Sequence, residues 1–345
     1  MKGGTVVSLV LCCAVLGMVI PAWGDVLSMP GGTTSLSLVS VGDPSNGPDT
    51  RYGAGRGEVD RNYKIGEYEV TASQYCEFLN AVAASDPSEL YNPNMWTARG
   101  NCGIQQTGTD GNYSYSVKSS HINRPVNYVS FWDACRFANW LTNGQPTGAE
   151  DANTTEDGSY ALNGYTGEDG HTITRKQGMG RYFVPSEDEW YKAAYYDPDK
   201  TGGAGYWDYP AQGDLAPTAE LPSTPPRAKP PGAANYNAVD QVNGITIVGA
   251  YGLSTSAYDT FDQGGNVQEW DERVMWQDPN FPTRQVLGGG FLNTAAQLRA
   301  NASNDEFPNF EDEDLGFRIV EIPEPATLSL LALCGLLSLR RRRAV

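Results

Sequence analysis

Asp262–Trp270, DQGGNVQEW, crowds two glycines, an asparagine, two carboxylates and a tryptophan into nine residues. Gly264 and Gly265 are free to turn the backbone through positive φ and bring main-chain carbonyls near a ligand. Asp262 and Glu269 are hard oxygen donors, and Asn266 adds an amide. Side-chain and main-chain oxygens alternating on a tight loop suit Ca²⁺, which takes six to eight oxygen ligands. Without further context the same stretch reads as an acidic turn leading to a half-buried Trp270. Downstream stand a glycine run ending in Phe291 (VLGGGF, 286–291) and LGFRIV at 315–320.

Upstream, three segments carry helix signals. Thr71 and Gln74 form a capping box, and Tyr75, Phe78, Leu79 and Val82 then share one helical face. Ser130 and Asp133 box a second helix, with Phe131, Ala134, Cys135, Ala138 and Leu141 on its apolar side. Ser186 and Glu189 box a third, with Trp190, Ala193 and Ala194 inward. A strand is expected over Thr34–Val41, and YKIGEYEV (63–70) reads as a strand running into the first helix. Residues 143–170 and 197–231 are polar, Gly- and Pro-rich loop. Neither a fixed-period repeat nor a change of character marks a second domain.

Composition narrows the chemistry. The net charge is −17 over 345 residues, a surface that repels nucleic acid and suits divalent cations. His121 and His171 are the only histidines, too few for a multi-histidine zinc or iron centre. Between the chain ends lie Cys76, Cys102 and Cys135, an odd count that leaves at least one thiol unpaired. Cys76 and Cys135 fall on or beside packing faces and read as small core residues. The acidic run Glu311–Asp314 reads as a solvated loop.

The ends carry addresses. Residues 1–24 read as an export signal: Lys2, an apolar run from Val6 to Ile20, and Ala22-Trp23-Gly24 as the cleavage site. At the other end, Ile322-Pro323-Glu324-Pro325 leads into the apolar stretch Ala326–Leu339 and then Arg340–Arg343. As a helix that stretch spans roughly 21 Å, short of the ~30 Å hydrocarbon core. Residues 322–345 resemble a PEP-CTERM sorting tail. The resemblance implies recognition by a membrane exosortase, a transient inner-membrane anchor, and delivery to the surface or matrix of a Gram-negative-type bacterium.

Residues 25–321 resemble the formylglycine-generating enzyme (sulfatase-modifying factor) family in six ordered blocks. YKIGEYEVTASQYCEFLNA (63–81), RPVNYVSFWDACRFANWL (124–141) and YFVPSEDEWYKAAYY (182–196) precede the three blocks quoted first. The implied fold is α+β, a single loop-rich domain of the C-type-lectin type. The resemblance carries two calcium sites over. One falls on the Asp262 side chain, the Gly265 and Val267 carbonyls and Glu269. The other falls on Asn235, the Tyr236 carbonyl, Asp240 and the Val242 carbonyl, within ANYNAVDQV (234–242).

The family's catalytic centre does not carry over. Its members oxidise a substrate cysteine to formylglycine with copper held by two cysteines. Those positions here are Asn293 and Leu298, and the family serine is Gly290; neither an amide nor an isobutyl group supplies the soft thiolate that Cu(I) needs. A family tryptophan is replaced by Gln268. Two readings follow: a calcium-stabilised binding or structural module for a glycan or peptide, with Phe291, Asn293 and Arg299 in its pocket, or a divergent oxidase acting on an exported protein. Trp270 and Arg318 are expected as framework, the latter paired with a carboxylate such as Asp133 or Glu189.

Overall fold

The computed structural model describes residues 25–323, apart from Gln177, Met179 and residues 277–281. The export signal expected over residues 1–24, and the tail from Glu324 onward, lie outside the described residues.

The three longer helices form where the capping boxes place them, at Ala72–Val82, Phe131–Thr142 and Glu187–Tyr195. In each, the N-cap hydroxyl accepts the N–H three residues on, and that residue's side chain returns to the N-cap N–H. The caps satisfy donors that a helix start leaves open. Behind them the apolar faces interlock. Tyr75, Phe78, Phe137, Trp140 and Phe317 pack with ring centroids 5.2–6.4 Å apart, mostly edge to face.

Two sheets frame this core. The larger has five antiparallel strands in the order Asp25–Ser28, Ser35–Val41, Tyr63–Gly66, Val320–Glu321 and Tyr182–Phe183. The second runs Asn304–Glu306, Thr283–Leu287, Gln268–Met275 and Leu315–Gly316, the last pair parallel. The strand expected to run from Tyr63 to Val70 ends at Gly66. A Cβ on Gly66 would meet the Tyr68 carbonyl at 2.7 Å, because the chain bends sharply there before entering the helix.

The segment LGFRIV joins the two sheets. Leu315–Gly316 pairs in one, Val320–Glu321 in the other, and Phe317, Arg318 and Ile319 between them are fully buried. Most of the remaining chain is turn and loop.

Candidate functional site

Asp262 and Asn266 both adopt left-handed backbone, at φ 59° and 62°, a region their short polar side chains tolerate. Gly265 lies at φ 103°, whereas Gly264 has no positive φ. A Cβ on Gly265 would stand 2.5 Å from the Asn235 carbonyl oxygen. The Gly265 N–H donates to the Gly288 and Gly289 carbonyls at 3.1 Å, and the Asn266 N–H donates to the Asn235 carbonyl at 2.8 Å. The loop therefore clasps the 235 and 288 segments with its own backbone.

Glu269 has a partner beyond the one the sequence suggested. Its carboxylate accepts Arg318 Nε at 2.5 Å and Nη2 at 2.7 Å, and Trp190 Nε1 at 2.8 Å, all fully buried. The remaining Arg318 donors reach the Gly66 and Phe261 carbonyls at 2.8 and 2.9 Å. Both Glu269 oxygens accept hydrogen bonds from a guanidinium, which adds a partner the sequence did not suggest. The pair also corrects the expected partner of Arg318. Asp133 closes its own helix cap, and Glu189 is held by Arg61 at 2.7 Å and Arg175 at 2.9 Å. Trp270, expected half-buried, is wholly inside and donates to the Val129 carbonyl at 3.0 Å.

Around that pair sit two further acids. Asp262 Oδ2 accepts the Gly249 N–H at 2.6 Å, and burial pushes its carboxyl up to about 6. Glu69, from the first helix block, is 1 % exposed; its Oε1 takes Asn266 Nδ2 at 3.0 Å and its Oε2 has no hydrogen-bond partner. Burial, then the charge of Asp262, hold the Glu69 carboxyl well above the ordinary range. Sequence reasoning missed Glu69, although it lies in the conspicuous E-V-T of block 63–81. Val267 is buried beside these groups.

The other expected cation loop closes on itself. The Gly244 N–H donates to the Asp240 carbonyl at 3.0 Å, and Asn235 Nδ2 donates to the Gly244 carbonyl at 2.8 Å. Asn235 Oδ1 is buried and without a partner, the kind of vacant acceptor a hard cation would satisfy. Asp240 accepts the N–H groups of Val242 and Asn243 at 3.1 and 2.9 Å, and Val242 is exposed. The Tyr236 hydroxyl donates to the Pro217 carbonyl. Among the described residues, no group of three or more His, Cys, Asp and Glu side chains is arranged to hold a metal ion. The donor set at Asn235 and Asp240, which leans on carbonyls and an amide, retains a free acceptor.

The glycine segment places its residues apart. Asn293 folds back so that Oδ1 accepts the Gly290 N–H at 2.7 Å, and its carbonyl takes the Asn237 N–H at 2.8 Å. A Cβ on Gly290 would stand 2.7 Å from Asp314, so the carboxylate occupies the space beside it. Leu298 is fully buried with Tyr209, Ala234 and Tyr236. Phe291 is buried over Gly100 and Gly244. Arg299 turns to Asp208 at 2.6 Å and to the Tyr52 hydroxyl at 3.3 Å. Phe291, Asn293 and Arg299 line none of the described cavities.

Cys76, Cys102 and Cys135 are all unpaired and buried. Burial pushes the Cys76 thiol up to about 12 and Cys102 up to about 11, and holds Cys135 well above the ordinary thiol range. The acidic run is only partly solvated, with Asp314 buried and Glu311, Asp312 and Glu313 half-buried. Burial pushes Glu311 up to about 8 and Asp314 up to about 6. Asn92 donates to Glu311, and the Asp314 carbonyl takes the Gln268 N–H at 2.6 Å.

An α+β, loop-rich domain with two small curled sheets and a buried Arg–Glu keystone defines the class, and comparison with known proteins supplies the family. Residues 22–322 match the model of the sulfatase-modifying factor enzyme 1-like domain, and the chain belongs to that family. Among solved structures, CarF aligns at 20 % identity and a TM-score of 0.51, over 84 % of this chain and 98 % of CarF. Treponema denticola variable protein 1 aligns at 17 % identity and a TM-score of 0.52, over 87 % and 99 %. These likenesses speak to fold. No curated protein matches the chain.

Proposed function

We propose that this sulfatase-modifying-factor domain binds rather than oxidises. The observation that carries the reading is the state of the two positions corresponding to the family's copper cysteines. Asn293 spends its side-chain Oδ1 on the Gly290 N–H, and Leu298 is packed beside the rings of Tyr209 and Tyr236. The three thiols outside the chain ends are buried and their pKa values are raised, the reverse of a thiolate metal site. The module is exported, sorted by its C-terminal tail through an exosortase, and presented at the cell surface or in the matrix. There it takes a glycan or peptide ligand.

The full chain, given Cu(I) and oxygen, is expected to leave a peptide with the family's C-x-P-x-R motif unconverted, as read by mass spectrometry beside an active family member. Appearance of the aldehyde would restore the divergent-oxidase reading, with Cys102 the first thiol to replace.

Calcium is proposed as a structural ion at Asn235, Asp240 and the Tyr236 and Val242 carbonyls. A cation bound only by the folded state stabilises by about 2.7 kcal/mol at a hundredfold excess over Kd. Millimolar calcium should therefore raise the melting temperature, and Asp240→Ala should remove that rise. An equal rise in D240A would place the ion elsewhere.

A further inference from the structure

A cleft of about 420 Å³ lies between the strand Ser35–Val41, the link from Tyr68 to Gln74, and Val248. That volume lies in the range of small-ligand sites, roughly 300–1,000 Å³. Its chemistry is lopsided. Thr33 and Thr34 hydroxyls donate to Glu77 Oε1 at 3.0 and 2.6 Å, and Ser37 Oγ donates to Glu67 Oε2 at 2.5 Å. The Tyr68 hydroxyl is also bonded to Glu67. Ser73 Oγ donates to the Ile122 carbonyl at 2.6 Å, and Gln74 Nε2 donates to the Ser35 carbonyl at 2.8 Å.

The hydrogens of these hydroxyls, and one of the Gln74 amide, are spent inward, so these groups turn lone pairs toward the cleft. Glu67 and Glu77 back those hydroxyls, and none of the described residues lining the cleft is basic. Glu69 is among the lining residues, 1 % exposed, with Oε2 unpartnered. The nearby guanidinium of Arg318 is already saturated by Glu269 and backbone carbonyls. Burial and then the charge of Asp262 hold the Glu69 carboxyl above the ordinary range, so it keeps its proton in the empty cleft and ionises only against a donor carrying positive charge. On the same walls, the Tyr68 ring, stacked on Phe261 at 5.2 Å, and the apolar pair Ile247 and Val248 can pack an alkyl stem or face a cation.

We propose that this cleft binds a cationic side chain, a lysine ammonium or arginine guanidinium of a peptide, with Glu69 as its buried counter-charge. The proposal deepens the binding-module reading and rests on it. The net charge of −17 draws such a ligand from a distance.

The test titrates the full chain with a capped Gly-Lys-Gly peptide, its Nε-acetyl-lysine form and a glucosamine disaccharide, in calcium and again in EGTA. The lysine peptide should bind, and acetylation should weaken it tenfold or more. Thr33→Arg, on an exposed turn, should block it to the same degree without moving the melting temperature, and Glu69→Gln should weaken it likewise. The proposal is overturned if the lysine peptide fails to bind, if acetylation costs nothing, or if T33R leaves affinity unchanged. Binding of the disaccharide alone would overturn it in favour of an amino-sugar site. Aldehyde formation on the cysteine peptide would remove the binding-module reading by a separate readout, so the two failures stay distinct.

Discussion

Glu269 sits at the end of the 262–270 loop, where it meets both Arg318 and the Trp190 ring nitrogen. Its neighbours Gly265, Asn266 and Trp270 marked the loop as special, and the loop does organise the fold. A guanidinium that is fully buried must have its charge matched, and Glu269 meets Arg318 with two hydrogen bonds across 49 residues of sequence. Sequence spacing carries no trace of such a contact, which is why Asp133 and Glu189 looked equally good for Arg318. Removing one partner of a buried pair leaves the other unpaired, at about 3–5 kcal/mol. Glu269→Ala should therefore lower stability by about that much in urea unfolding, and adding Arg318→Met should recover part of it. If E269A is nearly neutral in stability yet abolishes a calcium response, Glu269 serves chiefly as a metal ligand.

At the scale of elements, helices were legible and most strands were not. Each capping box combines a local hydroxyl, an acid or amide three residues on, and an apolar face behind, all written within a dozen residues. Strands such as Tyr182–Phe183 and Val320–Glu321 are two residues long and offer no period to read. The acidic run failed for a related reason, since its burial depends on which helix it meets. Glu311 lies near Asp133 at the start of the helix Phe131–Thr142, and Asp86 lies near Glu150. Two carboxyl groups so close need a proton between them. Glu89 adds negative charge and Arg136 positive charge to the same region.

Burial, with these like charges, pushes Glu150 and Glu311 up to about 8 and Asp133 to about 6. Folded pKa values above the unfolded ones mean that the native state holds protons the unfolded state has lost. Their stabilisation is complete below about pH 4 and disappears as pH rises through 6 to 8. The melting temperature should therefore fall between about pH 4 and 8. Glu311→Gln, which keeps an acceptor for Asn92 but cannot ionise, should flatten that fall. A wild-type melting curve insensitive to pH over this interval would show that the carboxyl pairs are not held as described.

For the whole molecule, the last described strand holds the two sheets and the two halves of the chain together. Val320–Glu321 lies between Tyr63–Gly66 and Tyr182–Phe183, pairing the end of the domain with strands from its first half. Leu315–Gly316 extends the other sheet, and Arg318 between them carries the buried ion pair. Contacts this distant in sequence form late and together, so the domain cannot close without its final residues. A chain stopped after Pro323 should keep a cooperative thermal transition and the near-ultraviolet signal of its buried tryptophans. One stopped after Asp314 forfeits Phe317, Arg318 and both strand pairings, strands Glu269 as a buried unpaired charge, and should show neither. A cooperative transition in the shorter chain would mean that the first-half core, built on Tyr75, Phe78, Phe137 and Trp140, folds alone, and that the LGFRIV segment docks onto it rather than completing it.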